Sequence, residues 1–251
     1  MSEPIGGETT AWHWMREDRQ LRYPPHTRVE PGQTLRVEGP LELNANGLHG
    51  SLRALDALRY APGFIVARTA HGGEVAYGRD ILCSRTRTAL WIVDARAIIL
   101  DWLCVILDRC LTGEAEAGHD PDARVWSVLT TLQRYARGES PITDARNATY
   151  TATMAASAAD AAFYTAAHAT YTSAVAARAA YVAASASANA ARAVASAARA
   201  AATNNAAQAA RAAANAARAA TMSTYVVERE RMNTELECRL IAAHGQVSTD
   251  P

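Results

Sequence analysis

The chain has 251 residues, enough for one large or two small domains, and its 25 basic residues are balanced by 25 acidic ones. Every basic residue is arginine, which excludes a Walker lysine, a Schiff-base lysine and a lysine general base. Zero formal charge offers no global field to nucleic acid, so nucleic acid is not an expected partner.

The first ten residues have no basic run and no apolar core and do not read as a signal peptide. Segments 27–30 and 33–37 alternate apolar and polar positions around the turn dipeptide Pro31–Gly32, which predicts two short strands. Leu41 and Leu43 suggest another, closed by 44–47. Ser51 is the expected N-cap of a short helix carrying Leu52, Leu55, Leu58 and Tyr60, stopped by Pro62–Gly63. Residues 64–67 and 75–77 read as a hairpin around His71–Gly72–Gly73.

From about Leu90 the apolar period becomes helical. Asp94, Asp101 and Asp108 recur every seven residues as a narrow polar stripe, and apolar residues fill the rest, as in a buried central helix ended by Gly113. The charges in 89–107 argue against a membrane span. A second helix is expected to start at Asp120–Pro121 and stop at Gly138.

Ser140–Pro141 repeats the start signal and opens the most unusual part of the chain. Residues 142–244 contain no glycine and no proline, and alanine fills a little over half of 150–221. One unbroken helix over that length would span about 150 Å at 1.5 Å per residue, so breaks are expected at polar clusters. Thr203–Asn204–Asn205 is the best placed; 170–173 and 221–224 are weaker ones. Small side chains let such helices approach closely and gather many weak dispersion contacts. Ala184 and Ala191, seven apart and each three residues from a larger apolar residue, are expected to face neighbouring helices. The expected fold is an α+β module over 1–88, a central helix and an amphipathic helix over 89–139, and an Ala-rich helical tail over 140–251. The chain as a whole is expected to be predominantly α.

Candidate sites are few. His49 lies close to the expected helix start, where an anion can bind and a neutral imidazole can serve as base. Cys83 could pair with it as a nucleophile. Ser51, Arg85 and Arg87 could hold an anion. Cys83, Cys104, Cys110 and Cys238 form no C-x-x-C pair and read as buried free thiols. The cluster His119, Asp120 and Asp122 is explained by the helix start, so no metal and no cofactor is expected. Arg178, Arg192 and Arg199 fall on multiples of seven, and Arg211 and Arg218 are seven apart, which places each set on one helix face as a candidate interaction surface. The threonines of the tail do not align on one face, which argues against ice binding.

The string GLHGSLRALDALRYAPG at 47–63, with PGQTLRVEGPLEL before it and CSRTRTALWIVDA after it, resembles an uncharacterised family of phage and prophage proteins. Its members carry a short N-terminal GLHxS…ALDALxYAPG module and an Ala- and Arg-rich helical tail of variable length. Family members often have a lysine where this chain has Ile81, and the tail here lacks their tryptophans. The lysine-free, alanine-rich composition agrees with a virus of a high-GC host. The resemblance implies a viral origin and names no reaction. The leading expectation is therefore a phage or prophage protein of the host cytoplasm that acts without catalysis. It would bind another protein, a host factor or defence component, or itself. The alternatives are an enzyme or small-ligand binder built around His49, and a structural component of the virion.

Overall fold

The computed structural model describes residues 8–21, 26–118, 121–170, 176–203, 205–219 and 225–247. The chain forms two compact units, one of residues 1–98 and 233–251, the other of 99–232.

The first unit is built on five antiparallel strands. They are β1 (Thr9–Met15), β2 (Thr34–Arg36), β3 (Leu48–Gly50), β4 (Ile65–Tyr77) and β5 (Leu82–Asp94), with a one-and-a-half-turn helix α1 (Ala54–Leu58) between β3 and β4. β4 and β5 form a hairpin of two thirteen-residue strands, with bulges at Arg68/Thr69 and Gly72/Val75. β1 pairs with the other edge of β4, while β2 and β3 share the outer edge of β5. Ser51, immediately after β3, exchanges both backbone hydrogen bonds with Trp12 of β1 (2.8 and 3.0 Å). The path β1–β4–β5–β3 thus returns to its start as a small barrel.

The side-chain alternation of strands sorts the residues. Met15, Val29, Ile65, Ala67 and Ala89 form an apolar core at one end, with Leu21, Leu35 and Ile92 packed against it. His13, His71 and Arg87 belong to the same side of their strands; the last two are register partners. The opposite faces carry Trp12 and Trp14, both buried. The Trp14 indole N–H donates to the carbonyl of Ala54, which holds α1 against β1. Residues 233–247, part of helix α7 (Tyr225–Val247), complete this unit. The ring of His244 stacks on Trp91 at 4.9 Å.

The second unit is helical. It takes in most of α2 (Arg96–Glu116), then α3 (Ala123–Ala136), α4 (Ile142–Thr170), α5 (Ala176–Thr203) and α6 (Ala206–Ala219), and the start of α7. α4, α5 and α6 pack through methyl groups: Ala152, Ala188, Ala193, Ala198, Ala209 and Ala212 are each at most 1 % exposed. α5 ends at Thr203 and α6 begins at Ala206, at the best-placed polar cluster of the sequence; the clusters at 170–173 and 221–224 fall wholly or mostly outside the described residues.

Several expectations are corrected. The chain is a mixed α+β protein with 55 % helix and 21 % strand, and a five-stranded antiparallel sheet organises its N-terminal half, which corrects the expected fold class; the helical tail and the high helix content are as expected. Residues 65–67 and 75–77 do not pair with each other; both lie in β4, and His71–Gly72–Gly73 is a bulge, not a turn. Leu90–Asp94 end β5 instead of starting a helix. α2 runs through Gly113 to Glu116, and α3 is capped by Asp122, whose carboxylate accepts from the Arg124 N–H; Asp120 lies outside the described residues. Residues 41–43 form no strand. Ser51 does not cap α1, because its backbone is committed to Trp12. The N–H groups of Ala54 and Leu55 are taken instead by Glu237 Oε1 and Asn233 Oδ1 of α7, each at 3.0 Å.

Candidate functional site

Polar groups gather at one end of the barrel. On β4, His71 is fully buried, and its ring is held at both nitrogens: Nε2 lies 3.0 Å from Thr69 Oγ1 and Nδ1 lies 2.8 Å from Ser84 Oγ. Thr69 in turn reaches the Ala11 carbonyl at 3.1 Å, and Ser84 donates to the Thr86 carbonyl at 2.7 Å. These four contacts have three protons to share while His71 is neutral, so one stays unfilled. Protonation of the ring would fill it, but burial, then the nearby Arg87 and His49, hold the His71 pKa down at about 3.

Arg87 is 3 % exposed. Its Nη1 donates to the His49 carbonyl at 2.7 Å, and no carboxylate among the described residues pairs with it. Burial lowers its pKa to about 10, so it keeps its charge at neutral pH. That charge reaches all three neighbouring imidazoles. His13 is held well below the usual histidine range by desolvation and then by Arg87, and His49 is lowered in the same order.

His49 sits in β3, directly across from Cys83 of β5. The strand register thus brings the expected pair together, but both groups are engaged. The His49 Nε2 accepts from the Asn44 N–H at 3.0 Å, which ties the ring to the 42–47 loop. Cys83 is fully buried, and burial pushes its thiol pKa up, away from the reactive thiolate. Burial also pushes Cys104 and Cys110 up to about 12, while Cys238, expected to be buried, is exposed. Of the expected anion ligands, Arg85 is paired with Glu74 at 2.9 Å and Arg87 has no carboxylate partner among the described residues.

A cavity of ≈ 90 Å³ lies between β1 and the segment 49–60. Its walls combine Trp12, His13 and Trp14 with His49, Ser51 and Tyr60. Ser51 is 2 % exposed. The Tyr60 hydroxyl donates to Asp80 at 3.2 Å, and Asp80 is also held by Arg59 at 2.7 Å. The most specific string of the sequence and the Trp-His-Trp strand therefore line one pocket. Sequence reasoning missed His13 and His71. The alternation Trp12–His13–Trp14, with a histidine between two large apolar residues, was the available signal for an inward-facing polar group.

In the second unit, Arg192 is paired with Asp160 at 2.6 Å and Arg199 donates to Thr153 Oγ1 at 3.2 Å, so both tie α5 to α4. Arg211 is exposed; the side chains of Arg178 and Arg218 lie outside the described ones. A larger cavity of ≈ 420 Å³ lies among α2, α3, α4 and α5, walled mainly by alanines such as Ala155, Ala184 and Ala191, with Leu111 and Val125. Glu114 also faces it and accepts from the Ser187 hydroxyl at 3.4 Å.

Among the described residues no cluster of histidine, cysteine and carboxylate side chains is arranged to hold a metal ion. No described helix is long and apolar enough to cross a membrane. Compared with protein-family models, curated proteins and solved structures, the chain matches none.

Proposed function

We propose that this is a phage or prophage protein that works in the host cytoplasm by binding another protein, without catalysing a reaction. One observation carries the reading. The first half of α4 buries Ala145, Ala148, Ala152 and Ala155 on one side and displays Ile142, Tyr150 and Met154 on the other, at 38, 72 and 45 % exposure. At 100° per residue these three fall within about 120° of arc, on the solvent side. A tyrosine and a methionine on the outer face of an alanine helix add nothing to its packing and are the residue types that anchor protein interfaces. Their spacing suits insertion of a helix into an apolar groove, so the partner is expected to offer one. The arginines at 192 and 199, expected at such a surface, support the α4–α5 packing instead.

The test is site-specific. A photo-crosslinking residue placed at Tyr150 should trap one discrete partner in infected or expressing host cells. The double change Tyr150→Glu, Met154→Glu should abolish that product and leave the helical circular dichroism intact. A product that survives the double change, or crosslinks only between copies of the chain, would sink the reading.

A further inference from the structure

We propose that the cavity among α2, α3, α4 and α5 receives a small apolar amine, with its ammonium group against Glu114 and its hydrocarbon body against the alanine walls. The site is separate from the protein-binding face of α4, since neither Tyr150 nor Met154 lines it. Three observations carry it. The first is size. The volume is ≈ 420 Å³, within the range of sites that enclose small molecules. Packed protein interiors leave few voids larger than a water, and α4, α5 and α6 obey that rule elsewhere, where Ala152, Ala193 and Ala209 are at most 1 % exposed. The gap is therefore a local departure from the packing of this unit and not a general result of small side chains.

The second is access. Leu111, Val125, Ala190 and Ala191 line the cavity and are buried, whereas Ala158 and Ala162, one turn apart on α4, line it and are exposed. That side is the way in for a ligand. The third is wall chemistry. Most of the wall is methyl and methylene, and an apolar cavity of about 150 Å³ is already enough to bind benzene. The polar spot is built from two facing helices. Glu114 of α2 is 7 % exposed and accepts from the Ser187 hydroxyl of α5 at 3.4 Å, and both residues line the cavity. A carboxylate has acceptor sites for about four hydrogen bonds, so an internal contact orients it without closing it to a ligand's donors. The other charged residue on the wall is Asp122, which is exposed and held by Arg124. No basic side chain lines the cavity among the described residues. An ammonium would meet an acceptor there, whereas a carboxylate or phosphate would meet only acidic and apolar groups.

The experiment is a calorimetric titration of the full-length chain, at neutral pH, with phenethylamine and hexylamine. Phenethyl alcohol and hydrocinnamate are titrated as the neutral and anionic counterparts. Saturable binding of at least one amine is expected, tighter than that of the alcohol, with none for the acid. Glu114→Gln should weaken the amine about tenfold, the loss of one hydrogen bond to a charged group, and leave the alcohol unchanged. Ala191→Leu, which takes up part of the space, should weaken amine and alcohol alike. If either variant fails to fold, the other decides. No saturable amine binding, alcohol or acid binding as tight as that of the amine, or an amine affinity undiminished in Glu114→Gln or in Ala191→Leu would each overturn the proposal. None of these outcomes bears on crosslinking at Tyr150.

Discussion

At the scale of single residues, packing decides more than chemistry in this protein. Gly50 illustrates it. A Cβ added there would stand 2.8 Å from His71 Nε2 and 3.1 Å from the Ala11 Cβ, so β3 can lie where it does only without a side chain. Gly50→Ala should therefore cost about 1–3 kcal/mol, the usual range for overpacking, read as a lowered urea midpoint with unchanged slope. The alanines of the tail divide by their surroundings. Ala198 is 0 % exposed and does not line the ≈ 420 Å³ cavity, so Ala198→Leu should destabilise by a similar amount, about 1–3 kcal/mol. Ala191, at 3 % exposure, is as buried as the sequence suggested, but it borders the ≈ 420 Å³ cavity. A leucine there can enter empty space and add apolar contact, so Ala191→Leu should be neutral or slightly stabilising. Equal losses of melting temperature in the two variants would mean that the cavity is not open to residue 191.

Elements depend on partners remote in sequence, and this is where sequence reading reached its end. α1 has five residues, too few to stand alone, and its first N–H groups are capped by Asn233 and Glu237 from about 180 residues away. Arg53 adds an ion pair with Glu237 at 2.9 Å. Glu237→Ala should cost about 0.5–2 kcal/mol, the value of a lost cap, and hydrogen exchange at Ala54 should rise more than at β4 amides. Uniform exchange across the unit would contradict a local cap. The break of the tail near Thr203–Asn205 was legible because a polar cluster stood out in a stretch without glycine or proline. A short Gly-Ser insertion between Thr203 and Asn205 should accordingly be tolerated, and the same insertion at Ala190, 2 % exposed inside α5, should not. The barrel was much less legible. Leu90–Val93 is a continuous apolar run that fits a buried strand or a helix equally well, and the Asp94–Asp101–Asp108 spacing tipped it toward the helix. The Gly72–Gly73 pair reads as a turn locally, and only pairing with β5 turns it into a bulge. The same holds for the site. His49 and Cys83 were identifiable by residue type, but that their rings and thiol are spoken for depends on strand register, which no local pattern reveals.

The molecule as a whole places its acid sensitivity in the first unit. His13, His49 and His71 surround a permanently charged Arg87 and are held neutral. In the unfolded chain these histidines regain a pKa near 6.5. Between that value and the lower folded one, the unfolded state holds more protons, so stability falls as pH falls. Their contribution is complete above about pH 6.5 and is lost progressively below it; for His71 the loss continues down to about pH 3. Over pH 6.5 to 5, His71 alone should remove about 2 kcal/mol, at about 1.4 kcal/mol per unit of differential protonation. Asp122 and Glu139 are lowered by Arg124 and Arg137 and also lose stability in acid, but only near and below the ordinary carboxylate range, outside this window. Urea unfolding at several pH values, in buffers free of carboxylates, should therefore show a decline over pH 6.5 to 5. His71→Gln, less stable at neutral pH through the broken Thr69–Ser84 network, should show a shallower one. A wild-type stability that stays flat to pH 5 would mean that the three imidazoles are reached by solvent or counter-ions in the folded state.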